Sequence, residues 1–295
     1  MMTRVASLRA AATALLSVGM MACGTLLGLG DYANAPSDGG TMNDLQVSAS
    51  GGDGGDAPLG TVDSSGEAVD AGGCPAVRAG AAMAPVGTAG FCIDTTEVTN
   101  VQYAAFLDGT PGSVPVSPVC EGNTTYVPSN GWPYATGAGD FPVVWVDWCD
   151  AYAYCQWAGK RLCGRIGGGT NPPDGLMDPA QSQWYSACSE GGMLEYPYGE
   201  MYEEGFCYGA QPPGAPLMAV GSHPDCVGGY PGIFDMSGSV WEWEDSCSAE
   251  TGPNDRCQIR GGSLYQAAAA LTCALNSPAS RSGSTADRGF RCCTP

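Results

Sequence analysis

The chain of 295 residues has a formal net charge of −19, with 11 Lys and Arg against 30 Asp and Glu. Nucleic acid and anionic lipid surfaces are bound through Lys and Arg that neutralise phosphates, so this charge balance excludes both as partners of the polypeptide. The single histidine, His223, excludes any metal site that needs three imidazoles.

The N-terminus has the features of a secretory signal peptide. Arg4 and Arg9 precede a run of apolar and small residues that ends in a lipobox-like sequence before Cys23. The run is shorter than the roughly 20 residues that span a bilayer. We therefore predict a signal peptide at residues 1–22 and lipidation of Cys23, with a plain secretory signal as the alternative. Gly24 after the lipidated cysteine resembles other bacterial lipoproteins that are not retained at the inner membrane, which predicts anchoring in the cell envelope at the outer membrane.

Residues 23–73 are predicted to form a disordered tether. After Cys23 they contain eight acidic residues, no Lys or Arg, and many Gly, Ser and Ala. A segment of this composition buries too little apolar surface to fold. It would reach roughly 40 Å from its anchor on average. The remaining residues, 74–295, are enough for one domain with its own core, and their nine Lys and Arg against 22 Asp and Glu give a net charge of −13.

Within the domain we predict few regular elements. A short strand is expected at residues 91–93, followed by a helix from about Asn100 to Leu107. The apolar spacing predicts a second helix at residues 147–158. Asp178 and Pro179 predict that a third helix begins there and continues to Cys188. The 45 glycines indicate that loops dominate the rest.

Five sequence blocks follow one another along this domain. They are Phe91–Tyr103, Tyr154–Leu162, Trp184–Cys188, Asp235–Trp243 and Arg260–Cys292. Together they resemble the sulfatase-modifying-factor family, whose best-known members are the formylglycine-generating enzymes, over about residues 90–293. The resemblance implies an α+β fold that is irregular, loop-rich and rich in disulfides, a variant of the C-type-lectin-like fold.

The resemblance also implies an oxidase, but its metal ligands are missing here. Active members hold Cu(I) between two cysteines and use dioxygen to convert a sulfatase cysteine to formylglycine. Those cysteines lie three and eight residues after the serine of a Gly-Gly-Ser motif. This chain keeps the serine as Ser263 but has Gln266 and Leu271 at the two ligand positions. Cu(I) is a soft ion that selects thiolates, so we expect neither copper nor the family's catalytic residues.

The cysteines predict a disulfide framework. Of 15 cysteines, 14 remain if Cys23 is lipidated, an even number in an exported chain. The resemblance implies Cys155 with Cys292 and Cys188 with Cys273, so Cys273 is not expected to bind copper. From expected strand and loop neighbours we add three weaker predictions. They are Cys92 with Cys293, Cys207 with Cys226, and Cys247 with Cys257, while Cys74, Cys120, Cys149 and Cys163 stay unassigned.

One calcium loop of the family has a match in the chain. Asp235, Gly238, Val240 and Glu242 correspond to its two carboxylates and two backbone carbonyls, and calcium prefers six to eight hard oxygen ligands. The alternative is that Glu242 forms an ordinary salt bridge beside core tryptophans. A second calcium loop would begin near Tyr208, but its ligands are not retained.

These observations favour a non-catalytic protein- or peptide-binding module that is lipid-tethered at the cell envelope and stabilised by calcium. The alternative is a formylglycine-generating oxidoreductase in which other cysteines replace the two that are missing. A scaffold for motility or secretion machinery differs from the first hypothesis mainly in its partner. Tyrosines in Gly-rich loops suit a binding surface, although some of them would be core. They are Tyr196, Tyr198, Tyr202 and Tyr208.

Overall fold

The computed structural model describes residues 61–62, 68–69, 73–109, 114 and 117–294. The predicted signal peptide, Cys23 and most of the predicted tether lie outside these residues. Within the tether, strands β1 (Thr61–Val62) and β2 (Ala68–Val69) pair antiparallel. Three of these four residues are β-branched and favour extended backbone, and the disorder of the tether stays a prediction.

Two four-stranded sheets form the frame of the domain. The first contains β3 (Met83–Pro85), β4 (Cys92–Asp94), β5 (Arg161–Leu162) and the C-terminal β10 (Cys292–Cys293), in the order β3-β4-β10-β5. The second contains β6 (Trp241–Cys247), β7 (Arg256–Arg260), β8 (Asn276–Ser280) and β9 (Arg288–Phe290), in the order β8-β7-β6-β9. β6 pairs antiparallel with β7 and parallel with β9, so the second sheet is mixed.

The first two helices agree with the sequence predictions. Helix α1 (Asn100–Asp108) is capped by Thr99, and helix α2 (Trp148–Trp157) by Asp147. Each has a reciprocal capping box. The N-cap side chain accepts from the backbone N–H three residues on, and the side chain of that third residue accepts from the backbone N–H of the N-cap residue. The sequence predicted α1 from a capping residue and α2 from its apolar spacing, and both helices satisfy their first N–H groups with side chains close in sequence.

The third helix begins later than predicted. Helix α3 spans Gln183–Cys188 with Ser182 as its N-cap, and the Ser182 hydroxyl accepts from the N–H of Tyr185. Asp178 instead closes a turn, since its side chain accepts from the N–H of Ala180 and from the Gln181 amide. Such local side-chain bonds compete with helix formation, and here the turn prevails.

The main core is aromatic and joins α1 and α2 to the second sheet. Tyr103 and Tyr154 stack with ring centroids 5.6 Å apart, and Phe106 packs edge-on against both. Phe290 of β9 contacts the two tyrosines from the sheet. All four rings are fully buried, so this cluster fixes the helices against the strand that leads to the C-terminus.

Seven disulfides connect the 14 cysteines among the described residues. Cys155–Cys292 and Cys188–Cys273 are the bridges that the family resemblance implies, and Cys207–Cys226 and Cys247–Cys257 were also predicted. The remaining bridges are Cys74–Cys92, Cys120–Cys149 and Cys163–Cys293.

The predicted Cys92–Cys293 bridge is wrong, and strand register explains why. Cys293 pairs with Ile93 of β4 and with Arg161 of β5, so Cys92 is not directly opposite it. Cys163 follows β5 immediately and lies 4.8 Å from Cys293 between Cα atoms, within bridging distance. Cys92 is left to bridge Cys74 on the other side of the sheet.

Candidate functional site

Ser263 lies in a tight turn after β7. Gly261 and Gly262 precede it with φ angles of 80° and 78°, a conformation that glycine adopts without strain. A Cβ on Gly261 would lie 2.9 Å from the carbonyl oxygen of Met236, so a larger residue does not fit. Ser263 is fully buried, and its hydroxyl donates to Asp287 at 2.8 Å. The serine that the family motif retains is thus held rigidly in place.

The two positions that correspond to the copper ligands meet beside this turn. Leu271 is 1% exposed. Its Cδ2 lies 2.9 Å, and Cγ of Gln266 lies 3.2 Å, from the point that a Cβ on Gly262 would occupy. Its other methyl lies 2.1 Å from the equivalent point on Gly209. Glycines at both positions therefore admit the leucine, which fills the space with methyl groups.

No described cysteine is free to replace the missing ligands. All 14 cysteines within residues 73–294 that the structure describes are in disulfides, Cys273 among them. In the same part of the chain, no group of three or more His, Cys, Asp or Glu side chains is arranged to hold a metal ion. Among the described residues, no pair of free thiols therefore lies beside Gln266 and Leu271.

The predicted calcium residues belong to a buried charge cluster. Both carboxylate oxygens of Glu242 accept from Arg291, at 2.7 Å each, and one also accepts from the Trp184 indole at 2.8 Å. Burial alone would lower the pKa of Arg291, but the neighbouring carboxylates, Glu242 first and then Glu97 and Asp235, together raise that pKa above its ordinary value. The salt bridge considered as the alternative for Glu242 is therefore present.

Glu97 completes this cluster and was not identified from sequence. Its side chain is fully buried, and neither of its carboxylate oxygens has a hydrogen-bond partner. Arg291 approaches it only to 4.0 Å. Burial, and after it the charge of Asp235, raises the pKa of Glu97 well above its ordinary value. The one sequence feature that could have indicated a role for Glu97 is its position within the first family block, Phe91–Tyr103.

The loop before β6 presents the other predicted ligands to this cluster. Asp235 has a φ of 61° and accepts from the N–H of Gly221 at 2.5 Å, and Gly238 has a φ of 79°. An unpartnered buried carboxylate beside a second one is an arrangement that a cation would stabilise. The donor set suits a hard cation such as calcium, although Glu242 already has Arg291 as its partner. The calcium site stays a prediction.

An uncharged cleft of about 330 Å³ opens beside the Ser263 turn. Five aromatic side chains dominate its wall: Trp132, Tyr134, Phe141, Trp145 and Tyr265. No Asp, Glu, Lys, Arg or His lines it, although the domain as a whole is acidic. Tyr265 links the cleft to the turn because it lies two residues after Ser263 and donates its hydroxyl to the Ala215 carbonyl at 3.1 Å. We name this the Trp132 cleft.

The predicted tyrosine surface is partly interior. Tyr196 is 6% exposed and stacks on Tyr198 at 5.7 Å between ring centroids. Tyr208 stacks on the single histidine, His223, at 5.2 Å and donates its hydroxyl to Pro216. Tyr198 and Tyr202 are half-buried, so their rings keep an accessible part.

Comparison with known proteins gives relatives of both kinds, active and inactive. The chain is 26% identical over 213 residues to the formylglycine-generating enzyme of Mycobacterium tuberculosis, covering 52% of this chain and 62% of that protein. It is 30% identical over 168 residues to the inactive C-alpha-formylglycine-generating enzyme 2 of Bos taurus, covering 52% and 50%. The chain thus spans about half to three-fifths of the length of these relatives.

Among solved structures, the crystal structure of CarF is similar over 70% of this chain and 86% of that one, with 20% identity and a TM-score of 0.48. The family model for the sulfatase-modifying factor enzyme 1-like domain matches residues 53–294. Because this match covers most of the chain, the protein belongs to the sulfatase-modifying factor family.

Proposed function

We propose that this protein is a non-catalytic member of the family that binds a polypeptide segment of a partner protein. The observation that carries the proposal is the absence of free thiols among the described residues, since every described cysteine is in a disulfide. At one of the two positions where the family resemblance implies a copper ligand, the chain has the buried Leu271. Cu(I) needs thiolate ligands, and neither a leucine nor the neighbouring glutamine can supply one.

The Trp132 cleft is the surface that we assign to this ligand. Aromatic walls with a few polar groups are typical of sites that bury a ligand. Among the described residues, no hydrogen bond engages the indole N–H of Trp132 or Trp145, so both remain available as donors. An extended polypeptide offers backbone carbonyls to such donors and apolar side chains to the rings. The uncharged wall favours a segment without charged side chains.

The catalytic side of this proposal is tested on the oxidised full-length protein. We expect no aldehyde when it is loaded with Cu(I) and incubated with oxygen and a Cys-x-Pro-x-Arg peptide, followed by the peptide's mass. An active formylglycine-generating enzyme in parallel is the positive control. Conversion of the peptide by this chain would contradict the proposal and support the oxidase alternative.

The binding side is tested with peptides selected from a display library on the full-length protein. Buried aromatic contacts contribute about 2 kcal/mol or more when truncated, so Trp132→Ala should weaken the selected peptides by about 30-fold. Met193→Ala, at a position 65% exposed and outside this cleft, is the matched control and should leave affinity unchanged. Equal affinities for all three proteins would show that the cleft is not the binding site.

We further propose that calcium binds at Glu97 and Asp235 with the carbonyls of Gly238 and Val240. The support is the fully buried Glu97 carboxylate, whose oxygens have no hydrogen-bond partner and whose ion pair with Arg291 is 4.0 Å long. Calcium at a hundredfold excess over its Kd would stabilise the fold by about 2.7 kcal/mol, so a chelator should lower the melting temperature. In Glu97→Gln this shift should disappear, whereas Glu121→Gln, at an exposed site, should keep it. A wild-type melting temperature that chelator leaves unchanged would refute the site.

Seven disulfides indicate that the domain is exported to an oxidising compartment. None of the helices in the described part of the chain is long and apolar enough to cross a bilayer. We propose that a lipid on Cys23 anchors the protein in the envelope, at the outer membrane. Incorporation of labelled palmitate should be lost in Cys23→Ser, and equal labelling of the two proteins would exclude the anchor.

A further inference from the structure

The charges of the domain are distributed unevenly between its interior and its surface. Nine Lys and Arg residues follow residue 73, and five of them are buried in ion pairs or hydrogen bonds. Fewer than half of the Asp and Glu residues in the same part of the chain are buried. Residues 166–255 contain 14 Asp and Glu and no Lys or Arg. The surface built from this stretch therefore has no positive side chain of its own. The buried cations are Lys160, Arg161, Arg260, Arg281 and Arg291.

A second cleft lies within this stretch, and we name it the Tyr198 cleft. It is an open cleft of about 460 Å³ between Tyr198, Phe206 and Tyr230, with Pro197 and Pro224 beside them. Tyr198 and Phe206 meet edge to face with ring centroids 5.2 Å apart. All three rings are half-buried, so part of each remains open to solvent.

The Cys207–Cys226 bridge holds the two sides of this cleft together. Cys207 follows Phe206 directly, and Cys226 follows Asp225, which lines the cleft. The two segments are thus covalently linked one residue away from Phe206 and Asp225. Because the walls are fixed before a ligand arrives, less conformational entropy is lost on binding.

One carboxylate lines the Tyr198 cleft, and two more act on the charges of its tyrosines. Asp225 forms part of the wall and is exposed. The backbone N–H of Glu203, whose side chain is exposed, donates to the Tyr198 hydroxyl at 3.3 Å. Burial first, and then the charge of Glu190, raises the pKa of Tyr230. The cleft therefore combines open aromatic faces with nearby negative charge.

From this combination we infer that the Tyr198 cleft binds an arginine or lysine side chain from a basic segment of a partner polypeptide. A cation over an aromatic face is attracted by the ring electrons, and nearby carboxylates add to that attraction. A guanidinium suits the cleft best because it stacks on rings and pairs with carboxylates at once. This ligand differs from the uncharged segment assigned to the Trp132 cleft, and the two sites are independent.

Fluorescence anisotropy with the oxidised full-length protein tests this inference. The probes are a labelled peptide of alternating Arg and Gly and its counterpart with citrulline, which keeps the shape of arginine without the charge. We expect the arginine peptide to bind and the citrulline peptide to bind at least about tenfold more weakly. Equal affinity for the two peptides would overturn the proposal.

Variants then locate the binding site. Tyr198→Leu and Phe206→Leu should each weaken the arginine peptide about fivefold or more, and Asp225→Asn about threefold. Asp174→Asn removes an exposed charge from the same acidic stretch, outside the cleft, and should have no effect. If Asp174→Asn weakens binding as much as Asp225→Asn does, or if none of the three cleft variants has an effect, the peptide binds the acidic surface in general and the proposal is wrong.

Discussion

Arg291→Met is expected to lower the free energy of unfolding by about 3 to 5 kcal/mol, because it removes one partner of a buried ion pair. Arg291 is fully buried, and besides Glu242 it donates to the carbonyls of Asp94 and Phe234 at 3.1 and 2.8 Å. Its loss would leave the carboxylates of Glu242 and Glu97 buried without a compensating positive charge. Since domains of this kind are stable by about 5 to 15 kcal/mol, the variant should be marginal.

Denaturant titration of the oxidised protein measures this loss, with two further variants for comparison. Arg165→Met removes an exposed arginine and should change stability by no more than about 0.5 kcal/mol. Adding Glu242→Gln to Arg291→Met removes one of the two uncompensated charges and should recover part of the loss, which keeps the test informative if the single variant does not fold. Stability of Arg291→Met within about 1 kcal/mol of wild type would show that this cluster does not hold the domain together.

Parts of the fold could be predicted because their causes are local. Helices α1 and α2 begin at Thr99 and Asp147, whose side chains satisfy backbone N–H groups three residues away. The start of α3 was misplaced because Asp178 carries the same local signal but uses it in a turn. A cap residue alone does not distinguish the two outcomes, and tertiary contacts decide between them.

Long-range features of the site depended on the family resemblance or were missed. The register of β10 between β4 and β5 has no local signal, so Cys293 was paired with the wrong cysteine. Glu97 was missed because its charged neighbours, Glu242 and Arg291, are distant in the sequence, and a lone acid in a sequence block indicates no burial. The Trp132 cleft likewise joins segments from residue 100 to residue 286, none of which is distinctive alone.

The substitutions at the copper positions could be read from the sequence, but their consequence required the structure. Counting three and eight residues from the serine of the Gly-Gly-Ser motif gives Gln266 and Leu271, neither of which has a thiol. The structure adds that the leucine is a packed part of the fold, since it fits against Gly209 and Gly262. The space beside Gly209 and Gly262 is therefore filled by the methyl groups of Leu271.

A variant with Gln266→Cys and Leu271→Cys should gain tight Cu(I) binding that wild type lacks. Both side chains approach the same point beside Gly262, so two thiols introduced there would face each other. Thiolates are the ligands that Cu(I) selects, and the frame around them, with Ser263 bonded to Asp287, is already in place. Competition with a chromogenic Cu(I) chelator, after mild reduction that spares the buried disulfides, would measure the gain.

The single variants decide whether the two positions act as a pair. Either cysteine alone supplies one sulfur and should bind Cu(I) at least about tenfold more weakly than the double variant. Leu271→Cys also removes part of a buried side chain and should cost about 1 to 3 kcal/mol of stability, so folding is checked first. Leu271→Ser, which makes a similar cavity without a thiol, is the matched control and should bind no copper. If the folded double variant binds copper no better than Leu271→Ser, these residues do not occupy the positions of the copper ligands, and the basis for assigning loss of catalysis to them fails.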